Sequence, residues 1–71
     1  MLSPVLMWNK IGRIVIKLSK RLNVTPLRAL NIFYTSEVCD RMHDEKEELY
    51  TFSDDYIVDE IMIELHGKYI L

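Results

Sequence analysis

Charge is divided unequally between the two parts of this 71-residue chain. Residues 1 to 36 carry six lysines and arginines and no aspartate or glutamate. The remaining residues carry three basic and eleven acidic side chains, so the two parts have formal charges of +6 and −8 within a net charge of −2. This division bears on how helices from the two parts pack, and on which partner could dock.

Length and cysteine content limit the class of protein. A chain of 71 residues forms a single domain, residues 1 to 71, and buries only about 60% of its unfolded surface, so its stability is marginal without help. Cys39 is the only cysteine, which excludes an intramolecular disulfide and a disulfide-stapled secreted scaffold. Lys10 and Arg13 interrupt the first apolar stretch before it reaches signal-peptide or membrane-spanning length. We expect a soluble cytoplasmic protein.

A long first helix is predicted from Pro4 to about Leu22. Ser3 followed by Pro4 is typical of a helix start, because serine caps free backbone amides and proline fits the first helical position. The apolar side chains that follow fall within an arc of about 120°, the expected core face of an amphipathic helix. Trp8 is expected to be a core anchor. The predicted core face consists of Met7, Trp8, Ile11, Ile14, Val15, Leu18 and Leu22.

Two small residues lie beyond one edge of this apolar face. They are Gly12 and Ser19, seven residues apart. Glycine costs about 1 kcal/mol relative to alanine inside a helix, so a packing reason is expected for it. We predict that another helix approaches closely here.

The rest of the chain predicts shorter helices. Thr25-Pro26 repeats the cap-plus-proline signal, and Ser36 can cap a third helix through Met42. The charged stretch 43–48 indicates a solvated turn, and the β-favouring residues 49–52 indicate a short extended segment. Ser53 caps a last helix that is expected to end at Gly67. The predicted fold class is all-α: a compact bundle of three or four helices with one short extended segment near residues 49–52.

The order of several short motifs resembles a known family. In this sequence the matching segments are Trp8 to Ile11, Ala29-Leu30, Phe33 to Ser36, Leu49 to Phe52 and Asp54 to Ile57. Together they are similar to a family of small uncharacterised bacterial helical proteins, a domain of unknown function of about this length. The family offers no established activity or catalytic residue. Its members are often encoded beside proteins that resemble ADP-ribosyltransferase toxins, so the resemblance implies a bacterial protein with an antitoxin-like or other partner-binding role.

No residue pattern indicates catalysis or a cofactor. Cys39 and His43 share a helix face, but a structural zinc site needs four ligands and a catalytic pair needs a third residue to orient it. The acidic stretch 44–48 lacks the glycine and spaced oxygen ligands of a calcium loop. Asp54 and Asp55 suit the positive start of a helix. We therefore predict no enzyme activity, catalytic residue, metal, cofactor or small-molecule substrate.

Five basic residues lie on the arc next to the core face of the first helix. Such a stripe could neutralise nucleic-acid phosphates, lie on an anionic membrane, face acidic groups of this or another protein, or simply be solvated. An isoelectric point near 5.6 and an acidic second part disfavour nucleic acid and membrane. The residues are Lys10, Arg13, Lys17, Lys20 and Arg21.

The leading functional hypothesis is a non-enzymatic protein-interaction module that forms a homodimer or docks on a partner protein. Apolar residues make up 49% of the chain, which is generous for this length and predicts apolar surface left over for association. Tyr56 and Ile63 are expected on the outer side of the last helix. Together with the five basic residues of the first helix, they are the candidate partner-docking residues. The alternative is a small nucleic-acid-binding protein that uses the basic first helix.

Overall fold

The described part of the chain forms four helices packed around one core. The computed structural model describes residues 3–44 and 46–69, with side chains up to residue 67. Helix α1 spans Pro4–Leu22, α2 spans Pro26–Tyr34, α3 spans Glu37–His43 and α4 spans Asp54–Tyr69, with a single 3-10 turn at Leu49–Thr51. No strand occurs in the described ranges. The predicted all-α bundle is confirmed.

The predicted helix starts are confirmed at atomic level. Ser3 Oγ accepts a hydrogen bond from Leu6 N at 3.2 Å, and Thr25 Oγ1 accepts one from Arg28 N at 3.2 Å. Between these helices Asn23 adopts a left-handed backbone with φ 56°, a conformation that asparagine tolerates better than most residues. Because α1 and α2 are joined by only three residues, α2 folds back against α1.

The core is formed by side chains from every helix and from the 3-10 turn. Phe33 of α2 is fully buried, and Leu49 of the turn is only 2% exposed. The other core residues are Ile11, Ile14, Val15, Leu18, Ala29, Val38, Cys39, Met42, Ile57, Val58 and Ile61. The sequence prediction for α1 is confirmed for its central turns, where Ile14 and Leu18 are fully buried.

Trp8 does not belong to this core, so the prediction of a core anchor is wrong. Its side chain is 62% exposed. Helix α1 has nineteen residues and α2 only nine, and at 1.5 Å rise per residue α2 extends along only about half of α1. Because α2 folds back from the end of α1, the early turn that carries Trp8 lacks cover on that side.

Residues 49–52 were predicted to be extended, and this part of the fold prediction is wrong. Leu49–Thr51 form a 3-10 turn, and only Phe52 has extended backbone, with φ −82° and ψ 161°. The turn closes through Thr51 N donating to Glu48 O and Phe52 N donating to Leu49 O, both at 3.0 Å. In the described chain these backbone amide and carbonyl groups have no neighbouring strand, so they form hydrogen bonds within the turn while the Leu49 side chain enters the core.

Helix α4 also differs from its prediction at the C-terminal end. The helix continues through Gly67 to Tyr69. Gly67 does not have the positive φ of a left-handed cap, so it does not terminate the helix. At the other end Ser53 acts as predicted, because its Oγ accepts a hydrogen bond from Tyr56 N at 3.1 Å.

We predict that Ser36→Ala lowers the free energy of unfolding by about 1 kcal/mol. Ser36 is buried, donates to Phe33 O at 2.6 Å and accepts from Cys39 N at 3.3 Å, so alanine leaves a buried amide at the start of α3 without its partner. Urea denaturation followed by circular dichroism measures the change. Ser3→Ala, at the exposed cap of α1, is the control and should cost less; equal losses would contradict a special contribution from the buried cap.

Candidate functional site

The basic residues of α1 meet the acidic start of α4 in a partly buried cluster. Lys10 has a side chain only 10% exposed, and its Nζ donates to Asp54 Oδ1 at 2.9 Å and to Phe52 O at 2.8 Å. Arg13 Nε donates to the other carboxylate oxygen, Asp54 Oδ2, at 2.7 Å. One carboxylate is thus shared by two cations, and a backbone carbonyl takes a further bond from the ammonium.

The pKa of Asp54 reflects two opposing effects. Partial burial removes water and by itself raises the pKa of the carboxyl group. Hydrogen bonds and charge attraction from Arg13 and Lys10 outweigh that effect, so the pKa of Asp54 lies below its ordinary value of 3.8. The carboxylate is therefore ionised at neutral pH, and its charge offsets part of the cost of burying Lys10.

Two exposed ion pairs continue along the same pair of helices. Lys17 Nζ lies 3.1 Å from Asp55 Oδ1, and Arg21 Nη2 lies 3.0 Å from Asp59 Oδ1. We call these contacts, together with the Lys10–Asp54–Arg13 cluster, the α1–α4 ion-pair ladder. Residue numbers rise together on both sides of the ladder, which indicates that α1 and α4 run in the same direction. Exposed pairs of this kind contribute only about 0 to 1 kcal/mol each.

The structure thus places four of the five predicted basic docking residues against α4. Lys10, Arg13, Lys17 and Arg21 all contact aspartates of the same chain. Lys20 is exposed and takes no part in the ladder. Of the interpretations drawn from the sequence, contact with acidic groups of this protein describes the observed pairs. A role for these five residues in docking a partner stays a prediction.

Tyr56 and Ile63, the other predicted docking residues, both lie on the surface of α4. They are 42% and 66% exposed, as their positions on the outer side of the helix predicted. The Tyr56 ring lies next to that of Phe52, with ring centres 4.7 Å apart. A hydrogen bond with Glu60 and the negative charge of that residue raise the pKa of Tyr56, so its phenol remains protonated at neutral pH. Tyr56 and Ile63 are therefore both open to solvent.

A larger apolar surface lies between α1 and α2, and no docking residue was predicted there. It is a groove with a cavity volume of about 440 Å³. None of its lining residues is charged, and three are strongly exposed: Trp8 at 62%, Ile16 at 45% and Leu27 at 69%. We call it the α1–α2 groove, and its lining residues are Trp8, Ile11, Gly12, Val15, Ile16, Pro26, Leu27 and Leu30.

Gly12 lies in this groove, in open space. A Cβ atom built on Gly12 would meet no heavy atom of a neighbouring element or side chain within 4 Å. Its predicted companion Ser19 is instead buried, and the Ser19 hydroxyl donates to Ile16 O at 2.8 Å. The close helix approach predicted at Gly12 is therefore not made by any described part of the chain. Gly12 is thus the sequence signal for this side of α1, and the exposure of Trp8 was not predicted.

Cys39 and His43 do not form a reactive pair in this structure. Burial, assisted by the negative charge of Asp40, raises the pKa of the Cys39 thiol, which disfavours the nucleophilic thiolate. His43 Nδ1 lies 2.8 Å from the backbone oxygen of Cys39, so its ring is engaged with the main chain. Across residues 3–44 and 46–69, no three histidine, cysteine, aspartate or glutamate side chains gather closely enough to hold a metal ion.

A second, smaller hollow lies beside the buried cluster. Its cavity volume is about 220 Å³, and it is lined by Leu6, Asn9, Lys10, Arg13 and Tyr50. Both of its cations already bind Asp54, so an incoming anion would compete with a carboxylate held in place by α4. This hollow is a weaker candidate for a binding site than the α1–α2 groove.

Comparisons with known proteins add no relative. No family model, curated protein or solved structure matches this chain. The family resemblance noted in the sequence stays a prediction. Among the described helices, none combines the length and apolar character required to cross a lipid bilayer.

We predict that Asp54→Asn lowers the free energy of unfolding at pH 7 by about 2 kcal/mol, because it removes the charge that faces Lys10 and Arg13. A carboxyl group with a lowered pKa stabilises the fold at pH values above its unfolded-state pKa, and that contribution is lost as the pH falls through the folded-state value. The stability difference between the wild type and Asp54→Asn should therefore shrink as the pH falls below 3.8.

Thermal unfolding between pH 2 and 7 measures this difference. Asp55→Asn is the matched control, since the Asp55 side chain is 77% exposed and pairs only with the exposed Lys17. Its effect should stay below about 1 kcal/mol. Equal losses for the two variants, or a difference for Asp54→Asn that does not change with pH, would refute the role assigned to the buried cluster.

Proposed function

We propose that this protein is a non-enzymatic protein-interaction module whose docking surface is the α1–α2 groove. The observation that carries the proposal is the exposure of Trp8, Ile16 and Leu27 around an uncharged groove in so small a domain. Contiguous apolar patches on soluble proteins are commonly sites of association. Both a second copy of the chain and a different protein satisfy this proposal.

Burial energetics support the groove as the docking surface. Fully burying one large apolar side chain contributes about 1.5 to 3 kcal/mol relative to leaving it in water. Tryptophan is also enriched among the few residues that dominate binding free energy at protein interfaces. Trp8 and Leu27 lie on different helices and remain mostly exposed. Burial of both against one partner would therefore contribute substantially to the binding free energy.

In this proposal the basic residues of α1 act mainly within the protein. The ladder pairs Lys10, Arg13, Lys17 and Arg21 with aspartates of α4. The groove is the side of α1 whose residues take no part in these ion pairs. The alternative function, nucleic-acid binding through α1, has less support because phosphates would have to replace aspartates that already bind four of the five basic residues.

The resemblance to a bacterial family fits a protein partner. A member of such a family is a bacterial cytoplasmic protein, and in an antitoxin-like role its partner is a toxin-related protein. This identification of the partner rests on the resemblance alone, whereas the docking surface rests on the exposed residues of α1 and α2.

We predict that Leu27→Glu abolishes association, because it places a charge on the rim of the groove, which a docked partner would cover. Light scattering on the purified protein and affinity capture from lysate of the native host measure self-association and binding of another protein. Ile63→Glu is the matched control: Ile63 is exposed to nearly the same extent, 66% against 69%, but lies on α4.

The proposal is supported if the wild type and Ile63→Glu associate while Leu27→Glu does not. Association lost with Ile63→Glu alone would move the docking surface to the side of Tyr56 and Ile63. A wild-type protein that stays monomeric and recovers no partner sensitive to Leu27→Glu would refute an interaction module at the groove. Circular dichroism of each variant verifies that its helices are intact.

A further inference from the structure

Resting on the proposed function, we infer that the occupant of the α1–α2 groove is the same groove of a second copy of this chain. In the inferred dimer, a two-fold axis perpendicular to α1 passes between the α1 helices of the two copies, at a level midway between Trp8 and Gly12. The Trp8 side chain of each copy then enters the open space at Gly12 of the other copy. The two α1 helices run antiparallel across this contact.

The shape of the groove is self-complementary. Trp8 is a large, 62% exposed side chain, and Gly12 offers a hollow where even a Cβ would meet no neighbouring element or side chain within 4 Å. Four residues separate them, which is about one helical turn or 6 Å along α1. A two-fold axis midway between them places each projecting ring opposite the partner's hollow, the arrangement that an isologous interface requires.

Charge also favours an apolar occupant such as a second copy. No charged residue lines the groove, and Lys10 and Lys17 point to α4 through the ion-pair ladder. The residues that line the two grooves therefore bring no like charges of the two copies together. A charged ligand or a nucleic acid would find no counter-charge among the residues that line this surface, and would lose its own hydration there.

The exposed area is sufficient for a small specific interface. Val5 precedes Gly12 by seven residues and Tyr34 follows Leu27 by seven, so helical spacing places both on the groove side. With Trp8, Ile16 and Leu27 they make five side chains that are 44 to 69% exposed. Covering them would remove on the order of 500 Å² from each copy. The pair would bury about 1,000 Å², near the lower limit for a specific interface.

Trp8 is the only tryptophan in the chain, so its fluorescence reports directly on this contact. We expect the purified full chain to show a monomer–dimer equilibrium by sedimentation between about 1 μM and 1 mM. The emission of Trp8 should shift to shorter wavelength over the same concentration range, because the ring leaves water. Fluorescence and sedimentation should give the same dissociation constant.

Gly12→Leu is the decisive variant, because it places a side chain in the hollow, and the Cβ of that side chain meets no neighbouring element or side chain of the monomer within 4 Å. We expect it to weaken the dimer at least about tenfold while the helix content stays unchanged. Gly67→Leu is the matched control, because a Cβ at Gly67 also meets no neighbouring atom within 4 Å, and it should leave the dimer intact. Trp8→Ala should weaken the dimer as Gly12→Leu does, and combining the two should add little, since both remove one contact.

Two results would overturn the inferred dimer. One is a purified chain that remains monomeric up to about 1 mM. The other is a dimer that Gly12→Leu leaves unchanged or tightens. In either case, capture of another protein that is lost with Leu27→Glu and kept with Ile63→Glu would leave the proposed function standing with a different occupant. Loss of both self-association and such capture would remove the proposed function as well.

Discussion

The arrangement of the last third of the chain depends on the contacts of one buried group, the ammonium group of Lys10. It binds a backbone oxygen, Phe52 O, and a carboxylate, Asp54 Oδ1, on either side of Ser53, the cap of α4. A buried lysine without such partners would be strongly destabilising, because an unpaired charge loses its hydration. These two bonds therefore hold the end of the 3-10 turn and the start of α4 against α1.

The three sides of α1 have different surroundings. One side carries the basic residues of the ladder and meets α4, and a second carries Ile14 and Leu18 into the core. The third, with Trp8 and Gly12, has no cover because α2 is too short to extend along the whole of α1. The basic residues of α1 thus face the aspartates of α4, and the uncharged third side remains exposed.

Local signals in the sequence were reliable guides to helix starts. Serine or threonine at Ser3, Thr25, Ser36 and Ser53 caps a helix in each case, because the bond between a side-chain oxygen and a nearby amide depends on neighbouring residues alone. The helix stop expected at Gly67 is a local error, whereas the errors at Trp8 and at residues 49–52 concern long-range packing. The spacing of Trp8 matches the core face, yet its burial depends on the length of a different helix, which periodicity within α1 does not contain.

The difference at residues 49–52 has the same origin. Leu49 to Phe52 have β-favouring side chains, but an extended segment needs a neighbouring strand, and the described chain provides none, so a 3-10 turn satisfies the backbone. From sequence alone, the class of fold, the helix starts and the opposite charges of α1 and α4 were determined, since these follow from local bonding and periodicity. Only the tertiary structure decided which aspartate each basic residue contacts and which apolar side chains stay exposed. Both depend on distances between helices that are remote in the chain, and on how far one helix extends along another.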